Sequence, residues 1–168
     1  MDVLIAGLFT DSKQAGDAVS KLKKHDFIKD ISIVAKDMDT GEINSEQIKE
    51  DITEGAAAGA VTGGIAGIMT GLLASLVTIT LPGVGPVLVG GPLVAAWSLT
   101  GGAIGALAGG LIGGLVDLGF SQERAQMYKD HLLRGEVLVA VKVDESDREN
   151  TLNILDSYGV HAIDMVRL

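Results

Sequence analysis

No cysteine occurs among the 168 residues of this chain. That absence excludes a disulfide framework, a thiol nucleophile and a thiolate-bound metal, and leaves the redox compartment open. Basic residues are in the minority: 13 Lys and Arg stand against 22 Asp and Glu, for a formal net charge of -9. Nucleic-acid binding needs clustered cations to neutralise phosphates, and adhesion to an anionic membrane surface needs a basic patch. The composition offers neither. The largest absence is local. From Gly55 to Val116 there is no Asp, Glu, Lys, Arg or His, and Trp97 is the only aromatic residue in that run. Composition therefore divides the chain into a charged flank (1–54), an uncharged tract (55–118, closed by Asp117) and a second charged flank (119–168). The opening MDVLIAGLF has neither a basic n-region nor a cleavage site, so no secretory signal is expected and the flanks are expected to be cytoplasmic.

The flanks carry ordinary secondary-structure signals. Val3 to Phe9 is a short apolar run that predicts a buried strand. Asp11 or Ser12 caps a predicted helix to about Lys24, with Ala15, Ala18, Val19 and Leu22 as its inward stripe. Ile28 to Ala35 predicts a second strand. Beyond the tract, Ser121 caps a predicted helix that Gly135 ends. Val137, Val139, Val141 and Val143 alternate at the period of a strand. A further helix from about Ser146 is stopped by Gly159, and His161 to Arg167 closes as a strand. Strand-helix-strand thus occurs twice, with Val3-Leu4-Ile5-Ala6 echoed by Val137-Leu138-Val139-Ala140 and Ile31-Ser32-Ile33-Val34 by Ile163-Asp164-Met165-Val166. Two such units predict an α+β, ferredoxin-like split βαβ domain, with both crossover helices on one sheet face. The other face needs a cover, either a second copy or the helix at Ser121 to Leu133.

What fills the tract is glycine. Gly55, Gly59, Gly63, Gly67 and Gly71 recur every four residues, and Gly101, Gly105, Gly109 and Gly113 repeat the pattern. Residues four apart share one helix face, so each row predicts a bare groove that admits a neighbouring backbone, as in small-xxx-small packing. Pro82, Gly83, Gly85 and Pro86 break the tract near its middle and predict the turn of a helical hairpin, with arms of about Gly55 to Leu81 and Pro92 to Leu118. Each arm as a helix would span roughly 40 Å, against ~30 Å of bilayer hydrocarbon. Interior glycines cost about 1 kcal/mol each relative to alanine, so the arms need close partners to offset them. Those partners are either membrane neighbours or copies of the same hairpin. Few aromatics, and acidic rather than basic flanks at Glu50, Asp51, Glu54 and Asp117, are not the usual marks of a spanning segment.

These features together resemble the bacterial and archaeal general-stress, or low-temperature-induced, proteins. The resemblance rests on VLIAGLF at the start, GAAAGAVTGGIAGIMTG and GGAIGALAGGLIGG in the tract, and EVLVAVKVD after it, and covers nearly the whole chain. It implies a ferredoxin-like unit interrupted by a glycine-zipper segment, in a stress-linked protein that is membrane-associated or self-assembling. It transfers no catalytic residue.

No motif for chemistry emerges. His25, His131 and His161 fall in separate elements without paired-ligand spacing and read as surface or satisfied histidines. There is no phosphate-cradling G-x-x-x-x-G-K-[ST] and no G-x-S-x-G elbow. Asp144, Glu145, Asp147 and Glu149 gather near a predicted helix start and read as a solvated acidic face. The expectation is a non-enzymatic protein without a cofactor, whose partner is itself. The hairpins pack either in the cell membrane, with the flanking domain cytoplasmic, or at the centre of a large cytoplasmic homo-oligomer. The alternative is a module that binds a small ligand, a lipid or a quinone, in the ferredoxin-like domain or in an apolar cavity.

Overall fold

The computed structural model describes residues 1–36, 76–81, 84–90 and 111–168, and for 76–81, 86 and 88 it describes the backbone alone. In chain order the elements are β1 (Asp2–Phe9), α1 (Ser12–Leu22), β2 (Ile28–Lys36), β3 (Leu76–Leu81), β4 (Gly85–Gly90), α2 (Gln122–Leu133), β5 (Val137–Asp144), α3 (Arg148–Ser157) and β6 (His161–Arg167). A helical stretch at 111–117 precedes α2, and a 3-10 turn at Glu145–Asp147 leads into α3. The protein is α+β. Its six strands form one sheet in the order β3-β4-β2-β5-β1-β6, and every neighbouring pair is antiparallel.

The sheet is apolar on both sides because its central strands are. In β1, Val3, Ile5 and Phe9 face one layer, whereas Leu4, Ala6 and Leu8 face the other, the period of two inherent in a strand. The alternating valines of β5 continue the first layer: Ile5 opposes Val141, which in turn opposes Ile31 of β2. Against this layer pack Ala15, Ala18, Val19 and Leu22 of α1 and Leu155 of α3. Leu138 and Val34 join the second layer, where Leu111, Leu115, Phe120, Ala125, Tyr128 and Leu132 cover them. Thus α1 and α3 share one face, and the helix that begins at Ser121 covers the other together with residues 111–117.

Local chemistry sets the ends of these helices. The Asp11 carboxylate accepts from Lys13 N–H at 2.8 Å and Ser121 Oγ from Arg124 N–H at 3.2 Å, each satisfying a first-turn donor. Three helical stretches end alike. Gly119, Gly135 and Gly159 have φ of 98°, 94° and 81°, and the residue after each donates back to the last turn: Phe120 to Leu115 O, Glu136 to His131 O and Val160 to Leu155 O. This is the Schellman closure, in which glycine takes the left-handed position without a Cβ penalty.

Residues 76–90 correct an expectation. Leu76–Leu81 was predicted to end a helical arm, with a helix-helix turn at Pro82 to Pro86; instead it is a strand paired antiparallel with Gly85–Gly90. Leu81 opposes Gly85, whose φ is 92°, so the reversal is a β-hairpin. The sequence LVTITL is rich in β-branched residues, which favour a pleated strand over a helix. The edge of β2 supplies a partner, with Val34 opposing Val89 and Lys36 opposing Val87. Pro86 lies beyond that last β2 partner, at a strand start that tolerates a missing N–H. The end of the second arm is helical at 111–117 and contains Gly113. Gly55, Gly59, Gly63, Gly67, Gly71, Gly101, Gly105, Gly109, Pro82 and Gly83 lie outside the described residues.

Gly7 makes a specific demand on the first layer. It opposes Val139 in β5 at the irregularity in the β1–β6 register between Ala6 and Leu8, and a Cβ on it would overlap Val160 Cγ2. Val160 fills the space that glycine leaves, just before β6 begins. Gly7→Ala is expected to destabilise the fold by about 1–3 kcal/mol through overpacking, with Gly7→Ala/Val160→Ala recovering part of the loss; urea unfolding of both variants measures this.

Candidate functional site

Three residues of α2, at spacings of four and three, point along one side of the helix toward β6: Arg124, Tyr128 and His131. Each meets a polar partner. Arg124 Nε donates to Asp164 Oδ2, and Arg124 Nη2 donates to Ile163 O at 3.3 Å. The buried Tyr128 hydroxyl donates to Asp164 Oδ2 at 2.7 Å and lies 3.0 Å from Ala162 O. Ala162 has a φ of 50°, a left-handed conformation that costs a non-glycine residue about 1–2 kcal/mol. These partners hold it at the start of an edge strand. Burial, and then the neighbouring Asp164 carboxylate, push the Tyr128 phenol well above its ordinary value.

The third member closes a cluster. His131 Nδ1 lies 2.9 Å from Glu136 Oε1, and His161 Nε2 lies 2.8 Å from Glu136 Oε2. The two imidazole rings stand 5.6 Å apart, edge to face. Two helix ends bring the residues together. The closure at Gly135 folds Glu136 back beside His131 in the last turn of α2, and the closure at Gly159 delivers His161 as the first residue of β6, opposite Leu8 of β1. Side-chain exposures of 23% for His131, 15% for Glu136 and 37% for His161 place the cluster at the rim, with Glu136 the innermost. One potential ligand atom from each of the three lies within 4.8 Å of the others, and among the described residues this is the one such group of three.

Both histidines contact Glu136, as satisfied histidines do; what the sequence spacing does not foretell is that His131 and His161 share that one carboxylate. Sequence spacing hides it because 30 residues separate them and the intervening Glu136 belongs to a turn. The stretch Leu132-Leu133-Arg134-Gly135-Glu136 carries the only local signal: a helix-ending glycine returns the residue after it to the last turn. His25 sits apart, its ring 5.1 Å from Phe27.

At the opposite end of the sheet lies a second ionic group. Lys29 Nζ reaches Asp2 Oδ1 at 2.6 Å and Asp144 Oδ1 at 2.7 Å, and Lys142 reaches Asp2 Oδ2 at 3.2 Å. Lys29 and then Lys142 hold the Asp2 carboxyl down to about 2. The group is solvent-exposed, where such pairs contribute little. Of the acidic cluster expected near the helix start, Asp144 joins this group, Glu145 pairs with Arg148 at 3.3 Å, and Glu149 lies in the first turn of α3. Of the glycine and proline positions predicted for assembly and turn, Gly113 is half-buried in the helical stretch at 111–117 and Gly85 and Pro86 stand in β4; none of them joins the polar seam. Comparison with protein-family models, with curated proteins and with solved structures finds no match.

The seam sets a pH dependence. A phenol raised in the folded state makes its full contribution below the unfolded value of 10.0, and that contribution is lost as pH climbs above it. Tyr128→Phe is expected to cost roughly 1.5–3 kcal/mol at neutral pH, the range for a hydrogen bond to a charged group, and to reduce the alkaline fall in stability. Urea midpoints for both proteins, measured from pH 7 to 11, provide the comparison.

Proposed function

We propose that the protein is a non-enzymatic self-assembling subunit, whose uncharged glycine-rich stretches pack against the same stretches of other copies. The α+β head is read as ferredoxin-like: the sub-order β6-β1-β5-β2, with α1 and α3 on one face, is the arrangement that two βαβ units produce. The observation that carries the reading is the position of the β3–β4 hairpin. Because β4 pairs with β2, the stretch from 37 to 75 leaves the head sheet at Lys36 and returns to it at Leu76, and the next stretch leaves at Gly90 and returns by 111.

That path bears on the two forms of assembly. A single helix through 55–75, the part of the predicted arm that precedes β3, would measure roughly 32 Å and could cross a bilayer, but it would end on the side away from the head. Its C-terminal neighbour, β3, belongs to the head sheet, and the preceding linker, with Glu46, Lys49, Glu50, Asp51 and Glu54, is too charged to cross in compensation. A protein-only homo-oligomer needs no crossing, since each stretch can leave and return while its bare groove receives another copy. Among the described residues no helix is long and apolar enough to cross a membrane. The resemblance to stress-induced proteins supports deployment under stress.

Leucine at Gly63 and Gly67 fills the predicted groove. The double variant Gly63→Leu/Gly67→Leu is expected to sediment as a much smaller species than the wild type while its far-UV circular dichroism keeps the head's signal. Unchanged assembly, or a monomeric wild type, overturns the reading.

A further inference from the structure

The geometry at the end of the α2–β6 seam points to a second capacity, independent of assembly: we propose that His131, Glu136 and His161 bind one divalent transition-metal cation, of the zinc class. Two imidazoles and a carboxylate are the donor set suited to zinc and its first-row neighbours, and poorly suited to magnesium or calcium, which prefer all-oxygen shells. Three protein donors leave a fourth position for water or an incoming ligand.

Distances fit this donor set. Tetrahedral zinc with donors at ~2.0–2.2 Å separates neighbouring donor atoms by roughly 3.3–3.6 Å. Here the nitrogen-oxygen gaps are 2.9 Å to Glu136 Oε1 and 2.8 Å to Glu136 Oε2, and one donor atom from each residue lies within 4.8 Å of the others, so an ion enters as the side chains turn their donors toward it and the nitrogen-oxygen pairs open by roughly half an ångström. A second observation is independent of proximity. Glu136 Oε2 and His161 Nε2 are both shut off from solvent, yet neither has an aligned hydrogen-bond partner, although they lie 2.8 Å apart. A buried polar atom without a partner costs free energy. A cation between the two satisfies both at once.

The backbone prearranges these donors. Glu136 is fixed by the closure at Gly135, and His161 follows the closure at Gly159 and is held opposite Leu8. A bound cation joins the end of α2, the turn into β5 and the start of β6, so it clips the edge strand to its covering helix beside the strained Ala162. Binding to the folded form alone raises apparent stability by mass action.

The purified full-length chain, freed of metal with a chelator, is titrated with Co2+ and followed by its visible absorption, and with Zn2+ followed by calorimetry. Saturation at one cation per chain is expected, with the intense visible bands of a low-coordinate cobalt site and a rise in Tm that Mg2+ does not reproduce. His161→Gln and Glu136→Gln are each expected to weaken binding by roughly 100-fold or more, beyond the ~10–100-fold typical of changes outside the ligand shell. His25→Gln, which removes the remaining histidine of the three in the chain, is expected to bind as the wild type does. Absence of saturable Co2+ and Zn2+ binding, or affinity retained in both ligand variants, overturns the proposal. If a ligand variant fails to fold without metal, the wild-type and His25→Gln titrations decide. Saturation at one cation with low-coordinate cobalt bands in both supports the site, and loss of binding in His25→Gln overturns it.

Discussion

A sheet whose middle strands are apolar on both faces has to be covered twice, and the rest of this architecture follows from that. In β1 every residue from Val3 to Phe9 is buried, so neither side of the strand can face water. The cover on the first face is local in sequence: α1 follows β1 and α3 follows β5. The second face has no such neighbour. It is closed by Leu111, Leu115, Phe120, Ala125, Tyr128 and Leu132, all from the end of the tract and the helix after it. The uncharged tract is therefore tied into the core at its exit as well as through β4. Deleting it would take away part of a core whose members bury apolar side chains worth about 1.5–3 kcal/mol each.

The same return fixes where polar chemistry can occur. Once α2 lies across the second face, its buried side is committed to Ala125, Tyr128 and Leu132, and the adjacent stripe of Arg124 and His131 is turned toward β6. The strand at the sheet's end has acceptors to offer: Asp164 and Ile163 O accept from Arg124, and Asp164 accepts from the Tyr128 hydroxyl, which also lies beside Ala162 O. Tyr128 belongs to both sets: its ring packs edge to face on Phe120 at 5.8 Å while its hydroxyl reaches Asp164. The helix-ending glycines then add Glu136 and His161 at the rim. The cluster is thus a by-product of chain reversals that the fold already requires.

Much of this is legible in the sequence, for reasons specific to each element. The valines of β5 alternate, Ala15, Ala18, Val19 and Leu22 recur at helical spacing, and Ser121 and Gly135 bracket α2; local periodicity and capping suffice there. The repeated strand-helix-strand order likewise carries the placement of α1 and α3 on one face. The β3–β4 hairpin is not legible in the same way. LVTITL is a short apolar run, which periodicity alone does not assign to strand or helix, and it follows a glycine row whose period of four suggests continuation. What decides it is the unpaired edge of β2, a tertiary fact. The histidine cluster is hidden for a similar reason: His131 and His161 become neighbours only because β6 pairs with β1 and α2 crosses the sheet above it.

The hairpin also constrains how the tract can be satisfied. With 76–81 and 85–90 in the sheet, the uncharged residues left for the proposed assembly form two stretches, each joined to the head at both ends. Every glycine in a helical stretch costs about 1 kcal/mol, offset only where another backbone fills its groove. One chain can fill a groove of its first stretch with its second, but the opposite sides, lined by Val61, Ile65, Ile68, Leu72 and their counterparts, are aliphatic as well. In the proposed assembly, further copies bury those sides. In that assembly the charge of the heads opposes growth. All of the net charge of -9 resides outside the run from Gly55 to Val116, so heads gathered around a common apolar centre repel one another increasingly as copies are added. In the proposed assembly, apolar demand at the centre and like charge at the periphery together favour a particle of finite size over an open aggregate.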